Sequence, residues 1–163
     1  MRVIGIDPGA SGGMACFLKD ANGAPDVFKF NGATEQEIAR RVLEWAGESD
    51  DGCYCLLERV WASRGSGDRT MGAATMFTFG QNYGFIRGVL IALGVPFEEV
   101  LPATWQATFS LKRTDKSESD TDKKNRHKAK AQQLWPNVKV THAISDALLI
   151  AEHARRLTLT GTH

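Results

Sequence analysis

The sequence lacks the features that mark secreted or membrane-spanning chains. Its 163 residues include three cysteines, an odd number without C-x-x-C spacing, so no disulfide framework is indicated. The N-terminus does not resemble a signal peptide. The longest apolar segment, residues 89–97, is too short to span a bilayer. We therefore expect a soluble cytoplasmic protein with reduced thiols and no membrane partner.

An excess of one charge is also lacking. The sequence has 20 Lys and Arg residues and 19 Asp and Glu residues, which gives a net charge of +1. Any contact with nucleic acid must therefore come from local patches rather than from the average charge. An apolar fraction of 42% and four tryptophans fit a globular core, and the length predicts one domain.

The opening stretch, residues 3–13, is the most informative part of the chain. Its β-branched apolar residues favour a buried strand, and Pro8 and Gly9 end that strand. Asp7 is left at the strand end, fixed by the sheet yet open to a ligand. A second apolar run at 14–18 then predicts a hairpin. A carboxylate in this place can hold a divalent metal ion if other carboxylates converge on it.

The next elements alternate between strand and helix patterns. We predict, in order, a strand at 27–30, a helix at 34–46 that opens with a Thr34–Glu37 capping box, and a strand at 53–57 that ends on Glu58. This order is typical of an α/β fold in which the last of these strands lies parallel beside the first. Asp7 and Glu58 are then expected at one edge of the sheet, where ligands of such sheets bind.

A long helix predicted at about residues 70–93 is apolar nearly all round, which predicts burial on every side. Gly80, Gly84 and Gly88 recur in it at four-residue spacing, and each costs about 1 kcal/mol relative to alanine. Another backbone is therefore expected to pack closely there. Two interpretations remain open: the glycines seat the helix on its own sheet, or the helix forms a homodimer.

The C-terminal part of the chain carries the basic residues. We predict a strand at 97–101, a short helix at 102–110, a polar segment at 112–122, a basic helix at 123–135 and a last helix at 141–157. Lys and Arg outnumber the acids over residues 112–130. A local basic stripe of this kind predicts salt-sensitive binding of nucleic acid.

The last helix contains a second candidate acid. His142 and Asp146 are four residues apart and share a helix face. Small and aliphatic residues follow Asp146, so its carboxylate lies at the edge of a packed surface, where an unpaired charge is unfavourable. The alternative is an aspartate favoured only by the helix dipole. When Asp146 is considered together with Asp7 and Glu58, metal binding is the favoured interpretation of this acid.

Three motifs stand in order along the chain: Ile4-Gly5-Ile6-Asp7-Pro8-Gly9 with Gly12-Gly13, then Leu57-Glu58-Arg59-Val60-Trp61, then Ser145-Asp146-Ala147-Leu148. Together they resemble the RuvC family of Holliday-junction resolvases, in the compact form of its phage-encoded members. The resemblance implies an α/β, ribonuclease H-like fold with a five-stranded mixed sheet flanked by helices. It further implies a single nuclease domain over residues 1–158, with residues 159–163 as a tail.

The activity implied by this resemblance is that of a homodimeric endonuclease in a bacterial cell or a phage-infected host. Such enzymes nick two symmetric strands of a four-way DNA junction and depend on Mg²⁺, which Mn²⁺ can replace. A ribonuclease H-type activity on RNA·DNA hybrids uses a similar set of acids, and a non-catalytic protein that binds branched DNA is a third possibility. The glycine-rich helix favours the resolvase, because symmetric cutting needs two active sites.

The resemblance also assigns residues to the metal site. Family members hold two metal ions with acids at the positions of Asp7, Glu58 and Asp146. A fourth ligand usually lies three residues before the last aspartate, and that position is Ala143 here. His142 is the natural substitute, either as a ligand or to orient the attacking water; alternatively, it has no catalytic part.

Basic and aromatic residues near the motifs are candidate DNA contacts. Lys123 and Lys124 match family lysines that stabilise the cleaved phosphate. Trp61 matches an aromatic position near the junction crossover, where it would stack on an unpaired base; alternatively, it covers the core. The other candidate phosphate contacts are Arg59, Arg64, Arg69, Lys112, Arg113, Lys116, Arg126 and Lys128.

Overall fold

The protein is represented by a computed structural model that describes residues 1–19, 23–47, 52–60, 72–112 and 117–161. The elements in these ranges are, in chain order, β1 (Arg2–Asp7), β2 (Gly13–Leu18), β3 (Asp26–Lys29), α1 (Glu35–Gly47), β4 (Cys53–Glu58), α2 (Ala73–Ala92), β5 (Phe97–Val100), α3 (Pro102–Thr108), α4 (Asp120–Leu134) and α5 (His142–Thr160).

The strands form one mixed sheet in the order β3-β2-β1-β4-β5. The β1–β2 and β2–β3 pairs are antiparallel, whereas the β1–β4 and β4–β5 pairs are parallel. The parallel register sets Ile6 beside Leu57, so that Asp7 and Glu58 both follow at the same edge of the sheet. The predicted five-stranded mixed sheet flanked by helices is therefore confirmed.

The central strand β1 is buried on both faces, and its alternation divides the core into two layers. Val3 belongs to the layer built with α3, α4 and α5. Ile4 and Ile6 belong to the layer built with α1 and α2. Gly5 faces α5, and a Cβ at this position would lie 2.6 Å from the Cα of Ala151. The backbone of α5 thus lies directly on β1.

Helix caps account for the helix boundaries that the sequence predicted and for those that it missed. The predicted capping box at α1 is present, since the Glu37 N–H donates to Thr34 Oγ1 and the Thr34 N–H donates to Glu37 Oε2. Helix α4 begins earlier than predicted because the Ser119 hydroxyl accepts from the Asp122 N–H. Helix α5 ends at Gly161, whose φ of 68° is left-handed, so it extends into the predicted tail.

The prediction that α2 is buried on every side is wrong. Phe77 and Ile91 are 67% and 64% exposed, whereas Ile86 and Leu90 on the opposite side are buried. In the described part of the chain, no atom lies within 4 Å of a Cβ added at any of the three glycines of the helix. The glycines therefore do not seat α2 on its own sheet. We call Phe77, Gly80, Gly84, Gly88 and Ile91 the glycine face, because helical geometry places them within an arc of about 80°.

Cys16, Cys53 and Cys55 pack in the layer of α1 and α2, and they form no disulfide within the described part of the chain. Burial raises the pKa of Cys53 to about 12, so this group is a thiol rather than a thiolate at neutral pH. Within the described ranges, no helix combines the length and the apolar character needed to cross a membrane.

Candidate active site

Three elements bring Asp7, Glu58 and Asp146 to one edge of the sheet. Asp7 ends β1 and Glu58 ends the parallel strand β4. Asp146 lies in the N-terminal part of α5, the helix that packs directly on β1. The three side chains are close enough that the charge of Asp146 raises the pKa of both other carboxyls. The structure therefore brings together the three acids that the sequence singled out.

Burial and mutual repulsion raise the pKa of two of these acids. The pKa of Asp7 is raised to about 6, mainly by burial and further by the charge of Asp146, while the N–H of Gly9 opposes the change. The pKa of Glu58 is raised to about 8, again mainly by burial and next by the charge of Asp7. The site thus holds more negative charge than the protein itself stabilises.

Each of the three carboxylates has one oxygen held by a hydrogen bond from the protein. The backbone N–H of Gly9 donates to Asp7 Oδ1 at 3.0 Å. The indole N–H of Trp105 donates to Glu58 Oε1 at 2.9 Å. Asp146 Oδ1 lies 2.9 Å from His127 Nδ1 and also accepts a hydrogen bond from the Ser145 hydroxyl. These bonds restrict the rotation of all three acids.

The second oxygen of each acid has no such donor. Among the described residues, Asp7 Oδ2, Glu58 Oε2 and Asp146 Oδ2 accept no hydrogen bond. Hard divalent cations such as Mg²⁺ prefer carboxylate oxygens as ligands. Three carboxylate oxygens without a donor, in a place where the charges repel one another, therefore fit such a cation chemically.

The side chains do not yet form a finished metal site. Within the described ranges, no group of three or more His, Cys, Asp or Glu residues is arranged so that it could hold an ion. The repulsion that raises the pKa values of Asp7 and Glu58 also opposes closer approach of the carboxylates. Holding an ion would therefore require these side chains to rearrange.

His142 is the first residue of α5 and lies one helical turn before Asp146. Its side chain is exposed, and its Nε2 atom is 3.0 Å from Asn125 Oδ1 on α4. The neighbouring Ala143 turns its carbonyl oxygen towards Gly13 on β2. His142 takes part in none of the hydrogen bonds of the three acids. Its role as a fourth ligand stays a prediction.

Helix α4 supplies positive charge and two further contacts to the acids. Lys123 and Lys124 in its first turns lower the pKa of Asp7, and Lys123 also lowers that of Glu58. His127, which lies one turn after Lys123, contacts Asp146. Sequence reasoning missed His127 and also Trp105 of α3. The only signal for His127 was its position one helical turn beyond the lysines.

The remaining candidate DNA contacts divide into three groups. Arg59 forms an ion pair with Glu99, and Arg126 donates to both oxygens of Glu118 and to the carbonyl of Leu111. These bonds give Arg126 a structural role that does not depend on DNA. Lys112 is exposed and Lys128 is half-buried. The residues that lie outside the described ranges are Trp61, Arg64, Arg69, Arg113 and Lys116.

The raised pKa values predict how stability without metal changes with pH. The unfolded chain loses the Asp7 and Glu58 protons near the ordinary pKa values of 3.8 and 4.5, and the folded chain loses them near 6 and 8. Between these values the folded state binds more protons, so the free energy of unfolding contributed by the acids falls as pH rises. In EDTA, we expect Glu58→Gln to be more stable than the wild type, by an amount that grows from about pH 5 to about pH 8.

Urea unfolding of both proteins across this range measures the difference. Burial lowers the pKa of His153, which acts in the opposite direction, but His153 is present in both proteins and cancels in the comparison. A difference that is independent of pH would contradict the proposed electrostatic cost of the acids.

Comparisons with known proteins support the fold through solved structures alone. No protein-family model matches the chain, and no curated protein matches it. The structure of Thermus thermophilus RuvC in complex with a Holliday junction substrate is similar, with a TM-score of 0.63 and 17% sequence identity. That comparison covers 99% of this chain and 98% of the RuvC chain.

A second structure of Thermus thermophilus RuvC matches over the same shares of both chains, with a TM-score of 0.60 and 18% identity. The structural similarity establishes the fold, whereas sequence identities this low do not establish the activity. The chain therefore has the α/β, RuvC-like form of the ribonuclease H-like fold that the sequence motifs implied.

Proposed function

We propose that this protein is a metal-dependent endonuclease that cuts branched DNA and resolves four-way junctions by paired nicks. One observation carries the proposal: three acids lie at the carboxyl edge of a RuvC-like sheet, near enough for the charge of Asp146 to act on the other two, and each has one oxygen held and one oxygen without a donor among the described residues. A similar structure, that of Thermus thermophilus RuvC, was solved with a Holliday junction substrate. We infer that residues 1–158 act as a single nuclease domain.

The donor set fits a pair of Mg²⁺ ions, which Mn²⁺ could replace. When bound, such ions supply an activated water and neutralise charge on the phosphate that is cut. Asp7 would hold such ions together with Glu58 and Asp146, and the charge of Asp146 already acts on it. Its orientation is fixed by Gly9, whose N–H belongs to the turn that ends β1.

Positive side chains beside the acids would receive the DNA backbone. Lys123 and Lys124 already act electrostatically on Asp7, so their ammonium groups are placed to stabilise a phosphate at the same edge. Lys128 follows Lys124 by one helical turn of α4, and we propose that it and the exposed Lys112 add to the positive charge that the DNA contacts. The assignments of Arg59, Trp61, Arg64, Arg69, Arg113, Lys116 and Arg126 to DNA remain predictions from the sequence.

The exposed glycine face of α2 supports a homodimer. Gly84 lies midway between Phe77 and Ile91, seven residues from each, or about 10 Å along the helix axis. If two copies of α2 cross at Gly84 about a two-fold axis, Gly80, Gly84 and Gly88 of each copy face glycines of the other, so the two backbones can approach closely. Such self-complementarity is what a two-fold interface requires. Two sites related in this way would cut symmetric strands.

The catalytic proposal predicts that Asp7→Asn abolishes cutting. We expect nicking of a synthetic four-way junction in Mg²⁺ to fall by at least about 100-fold, since loss of a direct ligand should exceed the loss of an outer-shell partner. Binding of the junction in Ca²⁺ should remain within a few-fold of wild type, because the basic residues are intact. The measurement is single-turnover cleavage of a panel that also holds flap, linear duplex and RNA·DNA hybrid substrates.

The matched control is Glu44→Gln, which should cut at the wild-type rate. Glu44 is an acid of α1 that forms an ion pair with Arg41. Wild-type cleavage by Asp7→Asn would remove Asp7 from the site. Preferential cutting of the hybrid substrate would replace the resolvase with a ribonuclease H-type activity.

The assignment of His142 predicts a change in metal dependence. If His142 completes the ligand set, His142→Ala should raise the Mg²⁺ concentration that gives half-maximal cleavage, by about 10-fold or more. Asn125→Ala removes the hydrogen-bond partner of His142 and leaves the imidazole in place, so it is the matched control. A Mg²⁺ titration of both variants separates these cases, and coincident curves for wild type and His142→Ala would exclude the ligand role.

The dimer proposal predicts that Gly84→Leu gives a folded monomer. A Cβ added here lies more than 4 Å from every atom in the described part of the chain beyond the nearby helix backbone and its two sequence neighbours, and leucine favours the helix by a few tenths of a kcal/mol or more, so the monomer should keep its thermal stability. The same side chain would separate two crossing helices. Light scattering across a concentration series measures the mass.

Arg40→Leu adds a leucine at an exposed position of α1 and serves as the control, which should remain dimeric. A Gly84→Leu protein that keeps the dimeric mass would locate the interface elsewhere.

A further inference from the structure

We propose that His127 and Trp105 are positioning residues, which hold the carboxylates of Asp146 and Glu58 in the orientation that a divalent cation needs. This inference rests on the proposed nuclease function and assigns a role to two residues outside the three sequence motifs. It comes from a continuous set of contacts that joins two of the acids through the interior of the protein.

The first contact is that of His127 with Asp146. The imidazole is 1% exposed, and its Nδ1 atom lies 2.9 Å from Asp146 Oδ1. A carboxylate only accepts hydrogen bonds, so Nδ1 carries the proton and donates it. Asp146 is 28% exposed, which leaves it reachable from solvent on the side away from the imidazole.

The second ring nitrogen of His127 is evidence against a purely structural role. Nε2 is buried, and among the described residues it has no hydrogen-bond partner. A buried polar atom without a partner is unfavourable, and an apolar side chain of similar shape would fill the space without it. The contact with Asp146 is thus the one polar interaction in the described part of the chain that distinguishes a histidine here from a phenylalanine.

The third observation is the partner of Glu58. Trp105 is fully buried, and its indole N–H donates to Glu58 Oε1 at 2.9 Å. The rings of Trp105 and His127 contact edge to face, with centroids 5.3 Å apart and planes at 73°. Glu58, Trp105, His127 and Asp146 therefore form one chain of contacts across β4, α3, α4 and α5.

This arrangement can prepare the acids for an ion. Each donor engages one oxygen and restricts the rotation of its carboxylate, while the other oxygen has no donor among the described residues. The entropy of ordering the acids is then lost on folding rather than on metal binding. Hydrogen-bond partners of metal ligands typically contribute about 10- to 100-fold to metal affinity. The ring contact makes the orientation of one donor depend on that of the other.

The test measures metal binding without DNA and without turnover. Mn²⁺ affinity of the full chain is measured by calorimetry for wild type, His127→Phe, His127→Asn and Trp105→Phe. We expect His127→Phe and Trp105→Phe to bind Mn²⁺ about 10- to 100-fold more weakly. His127→Asn, whose amide N–H can stand where Nδ1–H stands, should recover most of the loss. A double variant should lose less than the product of the single losses, because the two donors are in contact.

His153→Phe is the matched control, because His153 is also a buried histidine with one hydrogen bond, to Thr108 of α3. It should leave Mn²⁺ affinity unchanged. Folding of each variant is checked by thermal unfolding in EDTA. If His127→Phe does not fold, His127→Leu replaces it as the variant without a donor, and Trp105→Phe tests the second donor independently.

The outcomes separate this inference from the nuclease proposal. Folded His127→Phe and Trp105→Phe proteins that bind Mn²⁺ with wild-type affinity would show that the pair only packs the core. An equal loss in His127→Asn and His127→Phe would also overturn the inference, because donation to Asp146 would not be the cause. Asp7→Asn is measured in parallel, and Mn²⁺ binding unaffected by that change, or absent from the wild type, would overturn both proposals.

Discussion

The direct contact between the backbones of β1 and α5 is the constraint on which the site depends. Gly5 leaves no side chain between them, and a Cβ there would lie 2.7 Å from the carbonyl oxygen of Ala147. Because α5 approaches this closely, Asp146 is held beside the end of the strand that carries Asp7. A larger residue at position 5 would separate the two acids as well as the two elements. The glycine therefore serves the site as much as the fold.

Bringing acids together in a partly buried place opposes folding, and the structure offsets this only in part. The N–H groups of Gly9 and Trp105 and the charges of the two lysines of α4 stabilise the ionised carboxylates. The raised pKa values of Asp7 and Glu58 show that repulsion and burial still prevail. A cation would remove this remaining unfavourable energy, so the same charges that destabilise the metal-free protein would favour metal binding.

The sequence predicts what local chemistry determines and misses what depends on distant contacts. The apolar run before Asp7 and the turn after it identify β1, and Thr34 with Glu37 identifies the start of α1. By contrast, the hydrogen bond from Trp105 to Glu58 joins residues that are 47 positions apart in the sequence, and no periodic pattern of residues predicts such a contact. The exposure of α2 was missed for another reason: an apolar pattern favours burial of a surface, but it does not show whether the same chain buries it.

Ala143 occupies the position where the resemblance predicts a fourth ligand, and this bears on how many protein ligands the proposed site needs. One oxygen of Asp146 is already engaged by His127 and Ser145, so this acid offers chiefly its Oδ2 atom. Mg²⁺ keeps several of its waters when it binds to proteins and requires few carboxylates. Under the proposed function, three oriented acids and a phosphate oxygen of the DNA would therefore suffice, and without a ligand at position 143 the orientation of these three acids would matter more. The buried donors behind Glu58 and Asp146 supply that orientation.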